Sequence, residues 1–275
     1  FRSETWTDSW GVGWEVALQG TVPFPKGHPL PDLERLADYR MPDPSDLVFT
    51  EEMKSALSRA DRGEKLLCGS LTYLLFERAW AIMGMEGFLT ALITHPAEVR
   101  AFCHGIATYA RGVFDRYLDL GVDAVSFSED LGTQRALMIS PQMFREFILP
   151  EYEYCFENVL RAGTLINFHS CGCVDAIAAD LAGIGVSILN PVQARANDLA
   201  ALRSTTDGVM AVQGAIDTAL LVSGTPPQIR DEVVRVMEIL KGRGGFICGP
   251  DQSIPGIPDE NMAALWRTAA EIGRY

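Results

Sequence analysis

The chain has 275 residues, 48% hydrophobic and 21% charged, which is ordinary globular composition and enough chain to bury one large core. Its formal net charge of −13 repels phosphate backbones and anionic lipid, which sets nucleic acid and membrane surfaces aside as partners. It shows neither a run of 18 apolar residues nor a basic-then-apolar leader, so a cytoplasmic protein is expected.

Residues 1–50 are punctuated by Pro23, Pro25, Pro29, Pro31, Pro42 and Pro44 and are rich in Gly and Trp. They hold too few periodic apolar residues for a core of their own. They are expected to form a hairpin and a long excursion over one face of a single domain spanning 1–275. The opening FRSETWTDSWGVGWE lacks an initiator Met and reads as the inside of a domain, so the chain is expected to begin within a longer protein.

From residue 65 short apolar runs alternate with amphipathic stretches of helical period. The strand candidates are KLLCGS (65–70), VDAVSFS (122–128), TLINFHS (164–170), GVSILN (185–190), GVMAVQG (208–214) and GGFICG (244–249). Ser140-Pro141 and Thr225-Pro226 each offer a hydroxyl N-cap followed by proline at the first helical position. The helix after Thr225 gathers Ile229, Val233, Val236 and Leu240 on one face, with Gly242 as its expected C-cap. Repeated strand–helix units mean parallel strands with right-handed crossovers. No GxGxxG follows a strand, and polar residues gather at the strands' carboxyl ends, where barrel enzymes keep their active sites. The expected fold is therefore α/β, a (β/α)8 TIM barrel whose first elements precede this numbering.

The sharpest local feature is Asn167-Phe168-His169-Ser170-Cys171-Gly172-Cys173. Residues two apart on a strand share a face, so His169 and Cys171 aim together at a strand's carboxyl end. Cys248 ends another strand. One imidazole and two thiolates make a ligand set suited to zinc, and three protein ligands with an open position is the catalytic pattern. On pattern alone the bland reading stays open: cysteine is often a small buried hydrophobe, and His169 a satisfied pocket histidine.

A second cluster, Ser128-Glu129-Asp130-Leu131-Gly132-Thr133-Gln134, offers Glu129 and Asp130 as acid, base or further zinc ligand, or else as helix caps. Asp217 is the third candidate catalytic carboxylate. Asn167, Gln134 and Gln213 are the candidate cofactor-binding residues, and Asn190 and Gln193 add to the same polar rim. His28, His95 and His104 read as structural. Cys68, Cys103 and Cys155 read as core or helix-face thiols, and Tyr73 and Trp80 as aromatic packing or a pocket wall. Six cysteines without a leader suit reduced thiols rather than a disulfide framework.

With these residues laid out, the sequence resembles the uroporphyrinogen decarboxylase-like superfamily, and within it the corrinoid-linked methyltransferases. The carriers are EDLGTQ (129–134), SPQMFREFILPEY (140–152), FHSCGCV (168–174), IGVSILNPVQ (184–193), VQGAIDT (212–218), TPPQIRDEV, GGFICGPDQSIPG (244–256), and Pro258 with Glu260-Asn261. True decarboxylases carry a Gly- and Arg-rich N-terminal segment that is not seen here. The methyltransferase branch has an HxC…C zinc motif, which His169, Cys171 and Cys248 match in order and spacing. The resemblance therefore implies Zn2+, a corrinoid (cobalamin) supplied by a partner protein, and one of two chemistries. Zinc either activates a thiol acceptor such as coenzyme M, or acts as Lewis acid on a methyl donor of the ether, methanol or methylamine type. The stretch HPLPDLERLADYRMPDPSD looks like the O-demethylase branch, which favours the second.

Two competing readings remain. A metal-free uroporphyrinogen decarboxylase-like lyase needs several cations in its pocket, and few of the 23 Lys and Arg lie at strand ends; Arg135 and Arg195 come nearest. A non-enzymatic corrinoid-binding barrel with zinc as a brace requires a closed fourth position on the metal.

Overall fold

The computed structural model describes residues 3–17, 22–252, 254 and 256–274. The first two residues of the opening segment, and Ser253 and Pro255 of the GGFICGPDQSIPG motif, lie outside the described residues. The chain forms two compact units, Phe1–Glu129 with Gln142–Thr164, and Asp130–Pro141 with Leu165–Tyr275.

The first unit begins with an antiparallel meander of β1 (Glu4–Thr7), β2 (Gly13–Val16) and β3 (Phe24–Gly27). The expected hairpin thus gains a third strand. Trp10, Val12, Trp14, Leu30 and Leu36 are buried, so this segment joins the core of its unit. The proline-rich stretch forms two 3-10 turns, Leu33–Asp38 and Pro44–Asp46, each capped by the preceding Asp32 or Asp43. There follow α1 (Glu51–Arg59), β4 (Cys68–Leu71), α2 (Phe76–Met83), α3 (Met85–Thr94), α4 (Pro96–Asp119) and β5 (Ala124–Ser128), with β4 and β5 parallel. Helix α4 starts on Pro96 and buries Val99, Phe102, Ile106, Val113 and Tyr117 at helical spacing.

Ser140 precedes α5 (Pro141–Met143), which runs through a π turn, Phe144–Ile148, into α6 (Leu149–Arg161). Pro150 explains the widened turn. It has no N–H to give the carbonyl of Glu146, and Leu149 N–H donates instead to Phe144 O, five residues back. The released Glu146 carbonyl accepts from Arg100 Nη1 at 2.9 Å.

The second unit holds β6 (Leu165–His169), α7 (Ala178–Gly183), β7 (Ile188–Val192), α8 (Leu199–Thr206), β8 (Ala211–Ile216), α9 (Thr218–Ser223), α10 (Pro226–Leu240), β9 (Phe246–Pro250) and α11 (Asp259–Ile272). Its strands pair in parallel in the order β6-β7-β8-β9. Each of the six strand segments read from sequence overlaps one of the parallel strands of the two units. Helix α10 buries the expected Ile229, Val233, Val236 and Leu240. Its N-terminus is closed by Gln228 Oε1, which accepts from Thr225 N–H and hydroxyl at 2.9 Å. Lys241 is the C-cap and Gly242, at φ +50°, turns the chain after it. No helix of the described residues is long and apolar enough to cross a membrane.

Candidate metal centre

Strand β6 alternates as a sheet strand with one buried face should, with Ile166 and Phe168 fully buried and Asn167 and His169 half-buried on the other side. Beyond its carboxyl end, Ser170 N–H donates to Asn190 O at 2.8 Å. The Ser170 hydroxyl accepts from Leu131 N–H at 3.0 Å, so it pins the segment after Glu129 against β6.

That pin brings Asp130 into place. Asp130 Oδ1 accepts from Cys171 N–H at 2.8 Å and lies 3.6 Å from His169 Nε2, which in turn lies 3.6 Å from Cys171 Sγ. One ligand atom from each of Asp130, His169 and Cys171 lies within 4.8 Å of the other two, and all three residues are half-buried. The spacing suits zinc. Bonds of about 2.1 Å to nitrogen or oxygen and about 2.3 Å to sulfur give tetrahedral edges of about 3.4 to 3.6 Å. Burial lowers the His169 pKa below its ordinary 6.5, with Asp130 opposing, which favours the neutral imidazole that ligates.

Beyond Cys171 the chain is held by a buried amide network. Gln193 Oε1 accepts from Gly172 N–H at 2.9 Å and from Gln134 Nε2 at 2.8 Å. Asn197 accepts from Val174 N–H at 2.9 Å and donates to the carbonyls of Gly172 and Gln193 at 3.0 Å. Gly172, at φ +84°, crosses the main chain of Gly132, and Cys173 N–H donates to Thr133 O at 2.7 Å. None of Asn197, the Ser170 pin or the glycine crossing was read from sequence; the only trace was the glycine between two cysteines.

The structure divides the other expected site residues. Cys248, expected as the third ligand, is outside the group of three. It sits on β9 with Gly214 as its Cα partner on β8, and burial pushes its thiol up to about 11. Asp130, expected as a possible further ligand, is the third member of the group. Glu129 is fully buried, with both carboxylate oxygens engaged by hydrogen bonds. It accepts from the N–H groups of Leu75, Phe76 and Glu77 at the start of α2, and from the Tyr152 hydroxyl at 2.6 Å. Burial pushes its pKa up to about 7 against these hydrogen bonds. Asp217 caps α9 through Ala219 N–H at 2.9 Å and pairs with Arg195 Nη2 at 2.5 Å.

Gln134 is tied into the amide network. Asn167 shares the face of His169 on β6, and Gln213 lies half-buried on β8 with Ile247 as its Cα partner. Cys173 lines a cavity of about 420 Å3 with Arg135, Met138 and Asp175. Cys103 and Cys155 are buried as expected, whereas Cys68 is exposed at the start of β4. Tyr73 stacks on Trp14 and Trp80 lies beside it, an aromatic packing role. His28 bonds Ala81 O and His104 bonds Glu151, both structural roles.

A family model described as uroporphyrinogen decarboxylase (URO-D) matches residues 5–272. Among solved structures, a methyltransferase from Methanosarcina mazei superposes with a TM-score of 0.75 at 18% identity, over 96% of this chain and 77% of that one. A B12-independent methionine synthase from Shewanella sp. W3-18-1 gives 0.55 at 13% identity, over 86% and 68%. A putative vitamin-B12 independent methionine synthase from Listeria monocytogenes gives 0.54 at 11% identity, over 82% and 70%. No curated protein matches the chain. At these identities the likeness speaks to fold alone, and the fold is α/β, of the (β/α)8-barrel type that the strand–helix rhythm predicts.

Proposed function

The chain belongs to the uroporphyrinogen decarboxylase (URO-D) family, and from that premise we propose that it is a zinc-dependent methyltransferase exchanging a methyl group with a corrinoid carried by a separate protein. The observation that carries the reading is the convergence of Asp130, His169 and Cys171, with His169 Nε2 3.6 Å from both the Asp130 carboxylate and Cys171 Sγ. The fold shared with a protein named as a methyltransferase supports it, as do the motifs flanking these residues.

Zinc bound here supplies Lewis-acid polarisation of a heteroatom on the methyl donor, or the low thiol pKa a thiol acceptor needs. The chain's own residues do the rest. His169 and Cys171 provide nitrogen and thiolate from one strand end, and Cys171 N–H orients the Asp130 carboxylate beside them. Cys248 is the thiol that the motif likeness adds to this set. Asn167, on the His169 face of β6, and Gln213 are the polar groups for cofactor or methyl donor. Asp217 holds the Arg195 guanidinium, and Glu129 braces the strand end that leads into Asp130. The donor class we favour is a small methyl ether, with methanol and methylamines next.

The test is methyl transfer from a panel of these donors to cob(I)alamin, followed by the appearance of the methylcobalamin spectrum. Transfer that requires zinc supports the reading. Turnover of uroporphyrinogen by zinc-free protein, with no methyl transfer, replaces it with the lyase reading.

A further inference from the structure

The second unit carries a cavity away from the metal centre whose lining includes one cation, Arg243, and one carboxylate, Asp207. It has a volume of about 440 Å3 and is bounded by Asp207, Gly208, Met210, Arg243, Gly244 and Gly245. These residues lead into the amino ends of β8 and β9, whereas the metal centre stands at the carboxyl end of β6. Such ends of barrel strands ordinarily serve stability.

Behind the wall lies Arg203 of α8, only 8% exposed. Its Nη2 donates to Asp207 Oδ1 at 2.6 Å and to Gly244 O at 2.7 Å. Its Nη1 is buried and has no hydrogen-bond partner among the described residues, so Arg203 backs the wall while Arg243 is the guanidinium that faces the cavity. Gly245, part of the cavity wall, stands against this nitrogen: a Cβ there would lie 3.6 Å from Nη1. Arg243 is exposed and lines the cavity itself. Asp207 is already paired with Arg203, so the cavity keeps one net positive charge in a chain of net charge −13. Gly208, Gly244 and Gly245 have φ of +74°, +140° and +78°, so the wall is largely main chain that a ligand can approach closely.

We propose that this cavity is a binding site for a small organic phosphate. A guanidinium such as that of Arg243 grips a tetrahedral oxyanion through paired N–H bonds, and the volume leaves room for an organic part beyond one phosphoryl group. This assignment stands independently of the metal centre.

The test is calorimetric titration of the whole purified chain with inorganic phosphate, with acetate as the planar-oxyanion control, at low ionic strength. The expected result is saturable one-site binding that Arg243→Ala weakens about tenfold. Amide shifts should be confined to the 207–211 and 243–245 segments, and acetate should bind more weakly. Arg243 is exposed, so its variant should fold; circular dichroism and zinc content checked alongside separate this result from any fault at the metal centre. Absence of saturable binding, equal binding by Arg243→Ala, or acetate binding as tightly as phosphate would each overturn the assignment.

Discussion

The main chains of Gly132 and Gly172 cross so closely that a β-carbon on Gly172 would stand 2.4 Å from the carbonyl carbon and oxygen of Gly132. No side chain fits there, and at φ +84° Gly172 also occupies backbone space that L-residues avoid. The crossing holds Cys171 beside Asp130. Gly172→Ala should therefore cost about 2 kcal/mol or more in urea unfolding and lower zinc content with it. A variant as stable and as zinc-replete as the parent would show the crossing to be incidental.

Glu129 and Tyr152 form the brace of the first unit. Removing the carboxylate leaves three amide donors and a buried hydroxyl without their acceptor. Glu129→Ala should cost about 3 to 5 kcal/mol, and Tyr152→Phe about 1.5 to 3 kcal/mol, by denaturant unfolding. Equal, small losses would mean that the brace carries no stability.

The same carboxyl sets a pH dependence. Its folded pKa is raised to about 7 from an ordinary 4.5, so between these values the folded state holds the proton more tightly than the unfolded one. Its contribution is fully present below the lower value and is lost as pH rises through the upper. The stability of the parent relative to Glu129→Gln should therefore fall between pH 4.5 and about pH 7 and level off above it. A relative stability that rises with pH would contradict the burial-dominated assignment.

Sequence patterning reached the strands because each is a short apolar run bounded by Gly or polar residues and set between stretches of helical period. It reached His169 and Cys171 because their two-residue spacing at a strand end is a local property. Asp130 was visible as a polar strand end, but its convergence on them depends on Ser170 gripping Leu131 N–H, a contact 39 residues apart in the chain. Glu129 looked like a reactive carboxylate because its partners at Leu75, Phe76 and Glu77 lie more than fifty residues away. The third strand of the N-terminal meander was hidden by Pro25 within it, a residue that demotes a run of four as a strand candidate.

Gln193 is the keystone of the amide network, serving Gly172 and Gln134 through one oxygen. It is 3% exposed. Gln193→Ala should cost about 1 to 3 kcal/mol and weaken zinc binding by about 10- to 100-fold, as loss of a group that orients ligands does. Chelator competition measures the second effect, and unchanged affinity would place the network outside the metal centre.

The central claim is tested most directly by the metal content of the purified protein, measured by mass spectrometry beside His169→Ala, Asp130→Ala and Cys248→Ala. The account predicts about one zinc per parent chain and little in the His169 and Asp130 variants while they remain folded. Loss in Cys248→Ala would add that thiol to the set. A parent chain without zinc after chelator-free purification, or a His169→Ala variant that keeps its full complement, would contradict the zinc centre and the methyl-transfer function built on it.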